Sequence, residues 1–206
     1  MIDTSEDIVS RYSAVLFDWD GTLADSHDAH FHALGDAIAP LGMRISWSWY
    51  AGRNGRSAEE NVLALAREQR IELTEPVADV VERCELSYFR QLERVREIGW
   101  VADLARTISG RLPIAVASGG TRKSIEATMR QLGLSDIFDC VITREDVRCG
   151  KPEPDIFLCA ARELGVTAQS CLVFEDSDDG LLAAARAGMA AVDVRRSEQI
   201  RKTDNT

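Results

Sequence analysis

The sequence predicts an α/β protein with a doubly wound parallel sheet as its core and an inserted helical cap domain. Five short apolar runs are spread along the chain, and most are continuous rather than alternating, which is typical of strands buried on both faces of a sheet. Helical patterns lie between the later runs. A long stretch after the first run holds helical patterns but no clear strand, and this interruption predicts the cap.

The predicted strands are the five apolar runs, at residues 14–17, 114–117, 140–143, 171–174 and 191–194. Apolar residues at helical spacing predict three helices between the later strands, with Ile125, Met129 and Leu132 in the first, Phe157, Ala160, Ala161 and Leu164 in the second, and Leu181, Leu182 and Ala185 in the third. Each helix is followed by a glycine, at Gly133, Gly165 and Gly188. Glycine readily adopts the left-handed conformation that ends a helix, so strand and helix alternate as in a doubly wound sheet.

Residues 27–96 break this alternation. They hold three predicted helices, around residues 30–41, 58–69 and 76–92. Ser57 and Glu60 have the spacing of a capping box, which marks the start of the second helix. We therefore predict an α/β catalytic core formed by residues 12–26 and 97–195, with residues 27–96 as a helical cap domain.

Composition and charge restrict the class of protein. The 206 residues carry a net charge of −10, which argues against nucleic acid or an anionic membrane as a partner, since both favour a basic surface. The five cysteines include no C-x-x-C pair, which indicates reduced thiols. The N-terminal residues lack the apolar stretch of a signal peptide, and no apolar run is long enough to span a membrane. We expect a cytoplasmic monomer that binds neither nucleic acid nor membrane.

Polar residues follow the predicted strands, where ligands of open parallel sheets bind. The segments, in chain order, are Asp18-Trp19-Asp20-Gly21-Thr22-Leu23, Ser118-Gly119-Gly120, Gly150-Lys151-Pro152 and Glu175-Asp176-Ser177. Four carboxylates in one cleft repel each other unless a divalent cation lies among them, and ligands that are all oxygen suit Mg²⁺. A carboxylate beside Mg²⁺ can attack phosphorus, and a second can transfer protons. A hydroxyl, backbone N–H groups and a lysine can hold the phosphoryl oxygens.

In this order the four segments resemble the four motifs of the haloacid dehalogenase superfamily of phosphohydrolases. The resemblance implies that Asp18 is the nucleophile and a metal ligand, and that Asp20 is the general acid and base, with its backbone carbonyl also on the metal. It implies Asp176 as a direct ligand of Mg²⁺ and Glu175 as an outer or water-mediated one. The residues implied to bind the transferring phosphoryl group are Ser118, Lys151, Gly119 and Thr22.

The motifs are most similar to those of a subgroup with a helical cap, which contains β-phosphoglucomutase and sugar-phosphate phosphatases. This similarity implies hydrolysis of a small sugar phosphate through an aspartyl-phosphate. It also makes His30, near the acid and base, and Arg56, with Arg53 in a cap loop, candidates for substrate binding. Mutases of the subgroup have a lysine in the cap that holds the sugar phosphate. Residues 27–96 contain none, since the lysines are Lys123, Lys151 and Lys202, which favours hydrolysis.

Two alternatives remain open. A hexose-phosphate mutase like β-phosphoglucomutase uses the same motifs but returns the phosphate to a second sugar hydroxyl. A phosphoacceptor signalling module also combines an aspartate, Mg²⁺, a hydroxyl and a lysine on a parallel sheet, but it is shorter, lacks a cap and does not need Asp20.

Asp178 and Asp179 are better explained as the acidic first turn of a helix than as further metal ligands.

Overall fold

The computed structural model describes residues 5–53 and 55–196. This part of the chain divides into two compact units. The first contains the described residues up to Asp25 and from Glu97 onward, and the second contains Ser26–Arg96. None of the helices within these described ranges is long and apolar enough to cross a membrane.

The strands of the described chain are β1 (Ala14–Phe17), β2 (Ala24–Asp25), β3 (Arg96–Glu97), β4 (Ile114–Ala117), β5 (Cys140–Ile142), β6 (Cys171–Glu175) and β7 (Ala190–Asp193). Five of them form the sheet of the first unit, in the order β5–β4–β1–β6–β7. All neighbours are parallel, with Val15 paired to Ile114 on one side and to Leu172 on the other. Because the chain adds strands first on one side of β1 and then on the other, the predicted doubly wound parallel sheet is confirmed.

Burial explains why the strand runs are continuously apolar. Every residue of β1, β4 and β6 is buried, so both faces of these strands are apolar until Glu175, the last residue of β6. The apolar core that they form with two later helices includes Leu16, Ala115, Phe157, Val173 and Ala184. The predicted strands therefore match the observed ones to within one residue at each end.

The α-helices are α1 (Ser5–Arg11), α2 (His27–Ile38), α3 (Trp47–Ala51), α4 (Ala58–Gln69), α5 (Val77–Arg90), α6 (Gly99–Ile108), α7 (Arg122–Leu132), α8 (Asp155–Glu163) and α9 (Asp178–Arg186). The capping box at the start of α4 is confirmed, since Ser57 and Glu60 each bond the other's backbone N–H. The three predicted helix-ending glycines have φ values of 67°, 69° and 74°, as the left-handed conformation requires.

The buried face of α9 differs from the one that its leucines suggest. Leu182 is 45% exposed, whereas Ala183 and Ala184 are completely buried. Small residues face inward because α9 lies very close to the end of β6: a Cβ at Gly180 would lie 2.0 Å from the Glu175 side chain. The predicted helix is present, but close backbone approach rather than side-chain size decides which face is buried.

The described part of the second unit is helical, and it contains one α-helix that the sequence did not predict. This helix, α3, follows Ser46, whose side chain accepts a hydrogen bond from the Trp49 N–H. Elsewhere in the unit, the Arg83 guanidinium donates to both carboxylate oxygens of Glu75, at 3.1 and 2.6 Å, and to the Ala37 carbonyl oxygen at 2.9 Å. Polar contacts of this kind join α2 to α5 within the unit.

The cysteines give a simple test of this fold. Burial raises the pKa of Cys84 to about 12 and the pKa values of Cys140 and Cys171 to about 11, and it also raises the pKa of Cys159. Cys149 is exposed. Because the thiolate is the reactive form, we expect about one thiol per chain to react rapidly with an aromatic disulfide reagent at pH 8, and the others only after unfolding. Cys149→Ser is expected to remove the rapid phase; a rapid phase that persists in this variant would contradict the burial described.

Candidate active site

Two neighbouring strands bring the first and fourth motifs together. Phe17 and Phe174 are paired in the register of β1 and β6, and their rings stack with centroids 5.2 Å apart. The next residue, Asp18, donates its backbone N–H to the Phe174 carbonyl oxygen at 2.9 Å. The side chains of Asp18 and Glu175 therefore meet at the carboxyl edge of the sheet, although the two residues are far apart in the sequence.

Three carboxylates form a buried cluster at this edge. Asp18, Glu175 and Asp176 each offer an oxygen, and these oxygens lie within 4.8 Å of one another. The three residues are at most 6% exposed. Burial raises the pKa of Asp18 well above its ordinary value, and the nearby charges of Glu175 and Asp176 raise it further. Such a cluster requires cations close by.

Lys151 supplies one of these cations. Its Nζ donates to Asp18 Oδ1 at 2.5 Å and to Glu175 Oε2 at 2.6 Å. Burial alone would lower the pKa of Lys151, but the two carboxylates outweigh this effect and raise it, so the side chain is an ammonium ion. The same nitrogen lies 5.0 Å from the centre of the Phe157 ring, on α8. Lys151 thus bonds to two of the three carboxylates, and its charge offsets part of the rise in the pKa of Asp18.

The charges of the cluster fit a divalent cation. Three carboxylates carry a formal charge of −3 and Lys151 contributes +1, which leaves −2 at the edge of the sheet. All the candidate ligands are oxygens, which suits a hard ion such as Mg²⁺. The Asp20 side chain is not one of the three, which is compatible with the expectation that Asp20 would contribute its backbone carbonyl.

Glu175 is the most firmly held member of the cluster. Its Oε1 accepts hydrogen bonds from the Asp176 N–H at 3.0 Å, the Ser177 N–H at 2.9 Å and the Ser177 hydroxyl at 2.8 Å. Its Oε2 accepts from Lys151. The carboxylate is therefore surrounded by donors and oriented by them. The motif around it includes Gly180, which leaves room for the Glu175 side chain. The sequence analysis did not identify this role, although the small residues that follow Gly180 in α9 indicate close packing.

The turn after β1 carries Asp20 and Thr22. The Trp19 carbonyl oxygen accepts the backbone N–H groups of Thr22, Leu23 and Ala24, at 3.3, 3.0 and 2.9 Å. Thr22 is completely buried, and its hydroxyl lies 3.3 Å from Asp176 Oδ1, to which it donates. Asp20 is partly exposed within this turn. The turn thus fixes Thr22 beside the carboxylate cluster and leaves Asp20 accessible.

The second motif follows β4, the other neighbour of β1. Ser118 donates its backbone N–H to the Ile142 carbonyl oxygen at 2.9 Å, and its hydroxyl oxygen accepts the Gly120 N–H at 3.0 Å. Ser118 is buried, whereas Gly119 is exposed. The order of the sheet therefore places Ser118 at the same edge as Asp18, on the opposite side from Glu175.

The predicted site residues of residues 27–96 lie in the second unit. The His30 ring stacks on Tyr88, with centroids 4.1 Å apart and planes 9° apart. Arg56 is exposed and pairs with Glu60 at 3.4 Å. The roles of His30 and Arg56 in substrate binding stay predictions. Asp178 and Asp179 are the acidic first turn of α9, as expected.

Comparison with known proteins shows which family the chain belongs to. The model of the haloacid dehalogenase-like hydrolases matches residues 12–188. The chain is 35% identical to the fructose-1-phosphate phosphatase YqaB of Escherichia coli (strain K12), over 90% of this chain and 97% of the relative. It is 30% identical to hexitol phosphatase A of the same organism, over 89% and 83% of the two chains. A crystal structure of a CbbY variant from Rhodobacter sphaeroides in complex with xylulose-(1,5)bisphosphate superposes with a TM-score of 0.80 at 27% identity, covering 87% of this chain and 84% of that one.

The contact between Gly180 and Glu175 predicts a strong effect of one methyl group. In Gly180→Ala the new Cβ would lie 2.0 Å from the Glu175 carboxylate, so Glu175 or α9 has to move. We expect the free energy of unfolding to fall by about 1–3 kcal/mol, although alanine favours helices. Urea denaturation of both proteins measures this change. The matched control is Gly99→Ala, where a Cβ meets no atom within 4 Å; equal stabilities of the two variants would contradict the packing described.

Proposed function

Because the chain belongs to the haloacid dehalogenase-like hydrolases, we propose that it hydrolyses small sugar phosphates with Mg²⁺ as cofactor and Asp18 as nucleophile. Membership of this family confirms the resemblance and the enzyme class, a phosphatase, that the four motifs predict. The observation that carries the proposal is the cluster of Asp18, Glu175 and Asp176 around Lys151. This cluster combines a held nucleophile with a fixed positive charge.

In the first step, an Asp18 carboxylate oxygen attacks the phosphorus atom and the bond to the sugar oxygen breaks. Lys151 supports this step because its positive charge lies at hydrogen-bonding distance from Asp18 Oδ1 and favours the ionised, nucleophilic form against the effect of burial. Asp20 gives its proton to the leaving sugar oxygen, which leaves the sugar as a neutral alcohol. The phosphoryl group is then bound to Asp18 as an aspartyl-phosphate.

In the second step, Asp20 acts as a base. It takes a proton from a water molecule, whose oxygen attacks the phosphorus atom of the aspartyl-phosphate. The bond between phosphorus and the Asp18 oxygen breaks, inorganic phosphate leaves, and Asp20 is protonated for the next turnover. The partial exposure of Asp20, beside a fully buried Thr22, supports a role that requires access to substrate and water.

The remaining motif residues bind the cofactor and the phosphoryl group. Asp18 and Asp176 would hold Mg²⁺ directly, together with the Asp20 carbonyl, and Glu175 would act in the outer shell. Mg²⁺ supplies positive charge that offsets the charge of the phosphoryl oxygens. We propose that the Ser118 hydroxyl, the Gly119 backbone N–H, Thr22 and Lys151 bind those oxygens. The saturation of Glu175 Oε1 by three donors supports its outer role.

The substrate class comes from the relatives. One is named a fructose-1-phosphate phosphatase and another a hexitol phosphatase, and the CbbY structure holds a sugar bisphosphate. We propose that residues 27–96 form the cap that selects the sugar, with His30 and Arg56 among its binding residues.

The five free cysteines support a reducing, cytoplasmic location, and we expect a monomer that binds neither nucleic acid nor membrane.

Phosphate release measures the proposed activity. We expect one or a few members of a panel of sugar phosphates, hexitol phosphates, phosphoglycolate and nucleotides to release inorganic phosphate in the presence of Mg²⁺. EDTA is expected to stop the release and added Mg²⁺ to restore it. Release from no member of the panel would contradict hydrolysis. Formation of an isomeric sugar phosphate in the same reactions would then support the mutase, and stable phosphorylation of Asp18 without turnover would support a phosphoacceptor module.

The nucleophile has its own test. Asp18→Asn removes the attacking charge but keeps the size of the side chain, so we expect kcat to fall by at least about 1,000-fold while the protein stays folded. Steady-state kinetics with the best substrate, and circular dichroism, measure the two effects. The matched control is Asp136→Asn, an exposed carboxylate of the same unit, which is expected to keep wild-type kcat. Activity of Asp18→Asn near that of the wild type would exclude Asp18 as nucleophile.

A further inference from the structure

Trp19 lies in the sequence directly between the proposed nucleophile Asp18 and the proposed acid and base Asp20. The whole residue is inaccessible to solvent. Its carbonyl oxygen accepts three backbone N–H groups of the turn that carries Asp20 and Thr22. A movement of Trp19 would therefore move the backbone on both sides of it, including both proposed catalytic carboxylates.

The indole ring of Trp19 is fixed by a specific polar contact. Its Nε1–H donates to the Thr128 hydroxyl oxygen at 2.9 Å. Thr128 is also completely buried, and its own hydroxyl proton has acceptors on the same helix, the carbonyl oxygens of Ser124 at 2.9 Å and Ile125 at 3.0 Å. The threonine hydroxyl thus donates to its helix and accepts from the indole, so both groups of this buried pair are satisfied.

Thr128 belongs to α7, the helix that follows the second motif. The Thr121 hydroxyl caps α7 by accepting the Ser124 N–H at 3.2 Å. A Cβ at Gly120 would lie 2.9 Å from Ile125 Cδ1, so the loop after Ser118 packs directly on the first turns of the helix. The loop with Ser118 and the helix with Thr128 therefore form one closely packed piece.

We propose that Trp19 and Thr128 are positioning residues, which hold the turn of Asp18 and Asp20 at a fixed distance from the phosphoryl-binding loop of Ser118. The inference rests on the proposed function, since it assigns the two motifs to the nucleophile and to the phosphoryl group. The two motifs lie on neighbouring strands, whose pairing ends at Phe17 and Val116. Beyond this pair, the backbone N–H groups of Asp18 and Ser118 bond to the outer strands, at Phe174 and Ile142, and not to each other's segment. The bond from indole to hydroxyl connects the segments beyond those strand ends.

Three single variants and one double variant test the proposal. Trp19→Phe removes the N–H but keeps an aromatic ring, Thr128→Val removes the acceptor but keeps the shape, and Thr128→Ser keeps the hydroxyl. We expect the first two to lower kcat about 10-fold with KM changed by less than about 2-fold, because the attacking group is misplaced whereas substrate binding is retained. The loss of kcat in the double variant is expected to be no larger than the loss in the more strongly affected single variant. Thr128→Ser is expected to keep wild-type kcat.

Thermal unfolding shows whether the variants lose only stability or also the correct position of the reacting groups. Wild-type kcat for Trp19→Phe and Thr128→Val at temperatures well below unfolding, together with a lower Tm, would overturn the proposal. Additive losses in the double variant would also overturn it. A fall in kcat that Thr128→Ser does not share supports it.

A second readout does not need turnover. If the wild type hydrolyses no phosphate ester, the proposed function fails, and the same variants are compared by binding of beryllium trifluoride, a mimic of a phosphoryl group on a carboxylate, by fluorine NMR in Mg²⁺. At least about 5-fold weaker binding by Thr128→Val, but not by Thr128→Ser, supports the positioning role independently of hydrolysis. Equal binding by all variants, or no binding by the wild type, would overturn it.

Discussion

Repulsion among three buried carboxylates is the constraint on which the catalytic edge of this protein depends. Asp18, Glu175 and Asp176 lie within a few ångströms of one another, in surroundings that screen charge poorly. Lys151 offsets one charge, and backbone and hydroxyl donors surround Glu175. Gly180 leaves room for that carboxylate. A cluster that the protein only partly neutralises could hold a divalent cation.

The sequence was sufficient to predict the sheet and the residues at its edge. Strands buried on both faces have few alternatives to a continuous apolar run, so the runs at residues 14–17 and 171–174 were recognisable without any contact information. The carboxyl ends of parallel strands share one edge, and this rule alone brought Asp18, Ser118 and Glu175 together. These predictions succeeded because they depend on local pattern and on a general property of the fold.

The rest depends on distances that a linear sequence does not contain. The inward face of α9 consists of alanines because the helix approaches Glu175 closely, and the larger Leu182 lies outside. The short helix α3 has too few residues to show a periodicity. The hydroxyl of Thr128 is an ordinary feature of a helix until the indole of Trp19 is placed against it. For α9 and Thr128, the signal arises from two segments that meet only in the folded chain.

The central position of β1 has a consequence for the order in which the protein can fold. This strand is made before the second unit, whereas its two partners, β4 and β6, are made after all of it. The helices of residues 26–96 make contacts among themselves and can form as soon as they emerge, whereas the apolar β1 has to wait for partners far along the chain. Until β6 is complete, a nascent chain has an exposed, aggregation-prone strand, so chaperone dependence should last until the segment that contains β6 has emerged.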